Sequence, residues 1–135
     1  MKTFNLEILT PEKPFFVGPC VSLIAPTIDG MIGIYPNHPP LTAPLQSGII
    51  SYTLESGESS KCAVSRGILC VEKNSTRLLC DSCCRAEDVD IEEERRLIEE
   101  ATLALKEKQS HADYVTTKLT LAKAFNELKL KKMNL

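Results

Sequence analysis

The sequence predicts an N-terminal β-sandwich followed by a C-terminal antiparallel two-helix hairpin. Three observations lead there. Residues 1 to about 85 fall into short apolar–polar alternating runs separated by turn residues, the pattern of a sandwich or barrel and not of βαβ units. After Arg85 the apolar spacing changes from two to between three and four. The chain has 135 residues, about one domain with a small appendage. We therefore divide it into a sandwich over 1–86 and a hairpin over 87–135.

The strand runs come in order. "FNLEILT" sets Phe4, Leu6 and Ile8 on one face against Asn5 and Glu7. "CVSLIA" follows a Pro/Gly break. "GMIGIYPNHPPL", residues 30–41, reads as a stiff loop. Gly30 and Gly33 allow tight turning or close backbone approach, while Pro36, Pro39 and Pro40 remove donors and fix φ, so that His38 is displayed from a rigid segment. "GIISYTLE" alternates Ile50, Tyr52 and Leu54 with Ser51, Thr53 and Glu55. "ESGESS" is a turn. "KCAVSRGILCVE" makes one or two strands broken near Gly67, "KNST" turns, and "RLLCDSCC" is the next strand.

The helices follow. Asp90 is an N-cap with Glu93 three residues on, the spacing of a capping box. Ile91, Ile98 and Leu105 lie seven apart, with Ala101 beside them, and form a thin apolar stripe. By the same periodicity the carboxylates of this helix face solvent. "QSHAD" breaks the pattern, Ser110 caps a second helix with Asp113 as its partner, and Leu121, Phe125 and Leu128 share a side. So short a connection predicts antiparallel helices. Residues 86–110 hold nine acidic and four basic residues, and 111–135 hold two acidic and five basic, so each helix complements its own dipole.

Composition narrows the function. Aromatics are 5% and tryptophan is absent, so the core must be aliphatic. A net charge of −2 argues against nucleic-acid binding. The longest nearly apolar stretch, "PFFVGPCVSLIAP", is interrupted by proline and falls short of the ~20 residues of a membrane-spanning helix. The opening "MKTFNLEILT" alternates where a signal peptide would be solidly apolar, so we expect a product that stays in the cytoplasm or is made inside an organelle. Cys80 and Cys83 form a C-x-x-C with Cys84 adjacent, but no second ligand pair accompanies them. We read the six cysteines as small hydrophobes, ahead of a metal or redox role. No Lys-Ser/Thr follows the glycines, as a phosphate loop requires. The expectation is a non-enzyme without cofactor or metal.

The block "GMIGIYPNHPPL", together with "FNLEILTPEK", "SRGILCVEKNSTRLLCD" and "DYVTTKLTLAKAFNEL", resembles the epsilon subunit of the rotary F-type ATP synthase, called delta in mitochondria. The likeness spans nearly the whole chain. It implies a rotor-docking sandwich at the foot of the central stalk, bound to the gamma subunit and the c ring. It also implies a regulatory hairpin that folds down on the sandwich or extends toward the catalytic alpha/beta head and blocks rotation. Position by position, it implies a partner interface of Thr10, Met31, Tyr35, His38, Leu41 and Thr42; Met31 stands where the family often has an acidic residue. On the hairpin, Lys118, Lys123, Lys129, Lys131 and Lys132 would face an acidic segment of the beta subunits. Peripheral attachment to the cytoplasmic face of the plasma membrane, or to a plastid or other organelle membrane, follows from the same resemblance. Some relatives bind ATP in the folded hairpin through arginines. Here the aliphatic–Asp pair is Val89–Asp90, the matching positions hold Glu93, Lys123 and Glu127, and Arg95 and Arg96 lie further along. The resemblance thus implies no nucleotide site. A free-standing β-sandwich binding module with a helical tail is the alternative, and a thiol enzyme using Cys80 and Cys83 comes third.

Overall fold

The computed structural model describes residues 2–107 and 110–133. Nine strands come first: β1 Phe4–Leu9, β2 Pro14–Thr27, β3 Gly30–Ile34, β4 Leu41–Leu45, β5 Gly48–Leu54, β6 Ser59–Val64, β7 Gly67–Glu72, β8 Ser75–Cys80 and β9 Cys83–Arg85. A 3₁₀ turn, Ala86–Asp88, leads to helices α1 Ile91–Leu105 and α2 His111–Met133. Gln109 of the predicted "QSHAD" break lies outside the described residues.

One layer runs β1-β8-β7-β4 and the other β2-β5-β6-β9, with β3 against β2. Their inner faces enclose an aliphatic core that includes Leu6, Ile8, Leu23, Ile50, Leu69 and Leu78. Strand β2 joins the layers. Its first half pairs with β1 and its second half with β3. Pro19 lies inside β2, so the predicted Pro/Gly break does not end a strand. Strands tolerate proline at bulges, and the register with β5 shifts between Cys20 and Ser22, just after Pro19.

The stretch 30–41 differs from its reading as a single loop. Gly30, with φ of 114°, closes the β2–β3 turn, and residues 30–34 are strand. The stiff segment is Tyr35–Pro40. Within it the His38 N–H donates to the Tyr35 carbonyl at 3.2 Å, Pro36 follows Tyr35, and Asn37 has φ of 67°. That is the signature of a type II turn. A Cβ on Gly33 would stand 3.1 Å from the Tyr35 ring, so the glycine lets the ring lie across the strand.

"RLLCDSCC" also divides. β8 ends at Cys80 in the first layer, and β9 joins the edge of β6 in the second. The crossing is held by Ser82, whose N–H donates to Ser65 Oγ at 2.8 Å and whose carbonyl accepts from the Ser65 N–H at 3.0 Å.

Asp90 caps α1, accepting from the N–H groups of Glu92 and Glu93. The Glu93 side chain turns to Arg96 instead of completing a capping box. Ser110 Oγ accepts from the Asp113 N–H at 3.1 Å. α2 lies along α1 and on β5, β6 and the 3₁₀ turn. Two expected features of the hairpin are corrected. Phe125 is 55% exposed, and the buried positions of α2 are Ala124, Glu127 and Leu130. On α1 the buried positions are Glu94 and Ala101, so the carboxylates do not all face solvent. The reason is geometric: α2 must serve two neighbours, and the face between α1 and the sandwich favours small alanines over the bulky ring.

Candidate functional site

Cross-strand register builds a graded outer face on the β1-β8-β7-β4 layer. Leu9 pairs with Leu79, Leu79 with Ile68, and Ile68 with Pro44. All four point away from the core and form an apolar row, in which Ile68 is 47% and Leu79 42% exposed. The next row is polar: Glu7, Arg77, Cys70 and Thr42, with the Arg77 Nε donating to Glu7 Oε2 at 2.8 Å. Beyond Pro44 the apolar row reaches Ile28, which shares a cleft with Ile68 and with Leu119 of α2. Adjoining exposed aliphatics of this kind mark a contact surface.

The structure does not gather the six predicted interface residues at one place. Thr10 stands at the end of the apolar row, its hydroxyl donating to the Lys13 carbonyl at 2.7 Å. Thr42 is in the polar row. Tyr35 and His38 sit together at the opposite end of the sheet, beside Phe4, Val71 and Ser75. His38 Nδ1 is 2.6 Å from the Pro39 carbonyl oxygen, so the ring is held by its own loop. Leu41 packs against the core and is only half-buried. Met31 is 62% exposed on β3, away from the rest. The four members of the apolar row, Leu9, Leu79, Ile68 and Pro44, were not singled out from the sequence. Their signal was present: "GIL" and "LLC" place apolar side chains on both faces of a strand whose outer face should be polar.

The five hairpin lysines do not form one patch. At about 100° per residue, Lys118, Lys129 and Lys132 share the solvent side of α2, whereas Lys123 and Lys131 flank the buried side. Lys131 Nζ donates to the Ala86 carbonyl at 3.1 Å and so ties the helix to the 3₁₀ turn. Lys118 lies 5.2 Å from the centre of the Tyr114 ring.

Three of the six thiols, Cys62, Cys80 and the half-buried Cys83, lie together. The Cys83 and Cys62 sulfurs are 3.2 Å apart. The hydrogen bond to Cys83 and burial push the Cys80 thiol far up. The hydrogen bond to Cys62 and burial do the same to Cys83. A nucleophilic thiol needs the opposite direction. Among the described residues no three Cys, His, Asp or Glu side chains are placed to hold a metal ion. At the positions compared with a nucleotide site, Glu93 is bound by the Arg96 guanidinium, which also donates to Glu100 Oε1 at 2.6 Å. Glu94 and Glu127 meet in the buried seam.

Known proteins resemble the chain along most of its length. Residues 3–86 match the family described as ATP synthase, Delta/Epsilon chain, beta-sandwich domain. The ATP synthase epsilon chain of Moorella thermoacetica is 34% identical over 129 residues, 96% of each chain. That of Desulforamulus reducens is 34% identical over 128 residues, 95% of this chain and 96% of the other. In fold, a chain of the Euglena gracilis mitochondrial ATP synthase superposes with a TM-score of 0.79 at 19% identity, covering 94% of this chain and 79% of that one.

Proposed function

The chain belongs to the ATP synthase delta/epsilon family, and from that premise we propose that it is a non-catalytic subunit of the central stalk, joining the gamma subunit to the c ring. The observation that carries the docking role is the outward apolar row Leu9–Leu79–Ile68–Pro44. A water-facing sheet has no use for such a row, and a rotor partner would bury it. The polar row beside it, with Thr42 and the Glu7–Arg77 pair, supplies register. Tyr35 and His38 extend the contact on their type II turn, Thr10 adds to it at the other end, and Met31 and Ile28 present an apolar tip to the c ring. No described helix is long and apolar enough to cross a membrane, so attachment through these partners supplies the membrane association.

The regulatory part of the reading concerns the hairpin. In this structure α2 is packed on β5 and β6, the folded-down arrangement. Release would free Lys131 from Ala86 and open the side of α2 that carries Lys123 and Lys131, so that the helix offers cations on both sides to an acidic segment of the catalytic head. The hairpin would then slow ATP hydrolysis.

The test is reconstitution with the gamma subunit and the c ring. Ile68→Glu combined with Leu79→Glu leaves the inner face intact and places two charges in the proposed contact. It should abolish co-purification with gamma, whereas full retention would refute the docking role. A chain ending at residue 87 should still dock. If complexes with and without the hairpin hydrolyse ATP equally fast, the inhibitory part fails alone.

A further inference from the structure

Two carboxyl side chains meet where the hairpin closes on the sandwich. Glu94 is in the first turn of α1 and is 8% exposed. Glu127 lies between Ala124 and Leu130 on the buried side of α2 and is 6% exposed. Neither joins an ion pair among the described residues. The two side chains are neighbours across the α1–α2 seam, close enough for each to act on the other's charge. Carboxyl groups accept hydrogen bonds when ionised and donate only when protonated. A hydrogen bond between them therefore needs a proton on one of the two. Two carboxylates at that separation cannot both be charged at low cost.

We propose that Glu94 and Glu127 form a proton-operated latch, which holds the hairpin packed while they share a proton and frees it when that proton is lost. The latch concerns packing, so it stands or falls separately from any inhibition of hydrolysis.

The surroundings fit this role. Facing the pair are Glu93 from α1 and Lys123 from α2, with the Cys84 thiol from β9 and, beyond it, Asp88 of the 3₁₀ turn. Of these, Glu93 is occupied by Arg96. Lys123 is exposed, forms no ion pair among the described residues, and opposes protonation. From β6 the uncharged Ala63 packs against Leu130, and Lys61 lines the cleft on the far side of Leu130. Burial, then the hydrogen bond and the charge of Glu127, push the Glu94 carboxyl up to about 8.

The sign of the linkage follows. With the hairpin released, the Glu94 carboxyl meets water and titrates near the ordinary value of 4.5. Between 4.5 and about 8 the packed form binds more protons than the released form. The latch acts fully below 4.5 and is lost as the pH rises through about 8. Within that window each pH unit moves the equilibrium toward release by up to about tenfold.

The experiment uses the full chain between pH 5 and pH 9. Methyl resonances of Ala63, Ile49 and Leu130 report packing, those of Leu6 and Leu78 report the sandwich, and side-chain carboxyl carbons report protonation. The expected result is a carboxyl titrating well above the ordinary range, with the interface methyls moving in step and the sandwich methyls unchanged. Glu94→Gln combined with Glu127→Gln keeps shape and hydrogen bonding without a proton to lose, so it should stay packed at every pH. Glu127→Gln alone can donate to an ionised Glu94 and should lower the midpoint by about one unit or more. The proposal is overturned if the interface methyls do not respond to pH. It is equally overturned if the double variant titrates like the native chain, or if that variant releases its hairpin while the sandwich stays folded.

Discussion

Leu130→Ala should detach the hairpin and leave the sandwich intact. Leu130 is 1% exposed and packs with Ala63, Ala86 and Ile49 in a cluster separate from the main core. The substitution removes three carbon groups from a dry contact, a transfer loss of ~2.4 kcal/mol at ~0.8 kcal/mol each. Core Leu→Ala changes reach ~5 kcal/mol where a cavity persists. Here the neighbours are small and the helix can settle, so a total of about 2–3 kcal/mol is expected. That corresponds to a shift of roughly 30–150-fold toward the released form. The two alanines that leave room for Leu130 offer no side chain able to replace it. The assay is limited proteolysis of α2 alongside denaturant unfolding of the sandwich. Faster cleavage after Lys129 and Lys131, with an unchanged unfolding midpoint, is the expected outcome. If cleavage is unaffected, Leu130 does not hold the hairpin. If the sandwich loses the same 2–3 kcal/mol, the two parts are one cooperative unit and the argument for a separable hairpin is wrong.

The lysines should divide by function. Lys131→Met removes the hydrogen bond to Ala86 and should increase α2 proteolysis, by roughly fivefold for a loss of ~1 kcal/mol. Reversing Lys118, Lys129 and Lys132 to glutamate should leave that cleavage unchanged but relieve any salt-sensitive inhibition of hydrolysis in the reconstituted complex. Gly67→Ala should destabilise the sandwich by at least ~2 kcal/mol in denaturant unfolding, because the added Cβ would stand 1.8 Å from the Leu79 carbonyl oxygen and 2.8 Å from Cys80 Cα; an unchanged midpoint would mean that β7 and β8 shift apart freely. Calorimetry with Mg-ATP should show no saturable binding to the purified chain, since Arg96 is taken by Glu93 and Glu100 and the facing position is Glu127; one-site binding lost on Arg95→Ala would refute this.

The sequence by itself determined whatever is local. Alternation in "FNLEIL" put Phe4, Leu6 and Ile8 inside because successive side chains of a strand leave on opposite faces. Asp90 and Ser110 marked helix starts because a short acceptor satisfies free N–H groups wherever a helix begins. The block at 30–41 showed its stiffness through its prolines, but not that its first five residues are strand, since Gly-flanked apolar residues fit a turn and an edge equally well. Tertiary structure decided what depends on residues far apart in the chain. The parallel pairing of β1 with β8 sets Leu9 against Leu79, 70 positions further along the chain, and the apolar row exists only through that register. Periodicity put the hairpin carboxylates in water, because a helix read alone has one neighbour, the solvent. Packed between a second helix and a sheet, α1 and α2 bring Glu94 and Glu127 together, and burial pushes the Glu94 carboxyl up. Lys131 likewise became a tether and not a free cation once α2 lay beside Ala86. A spacing within one segment names a face, but the surface that meets that face belongs to another part of the chain.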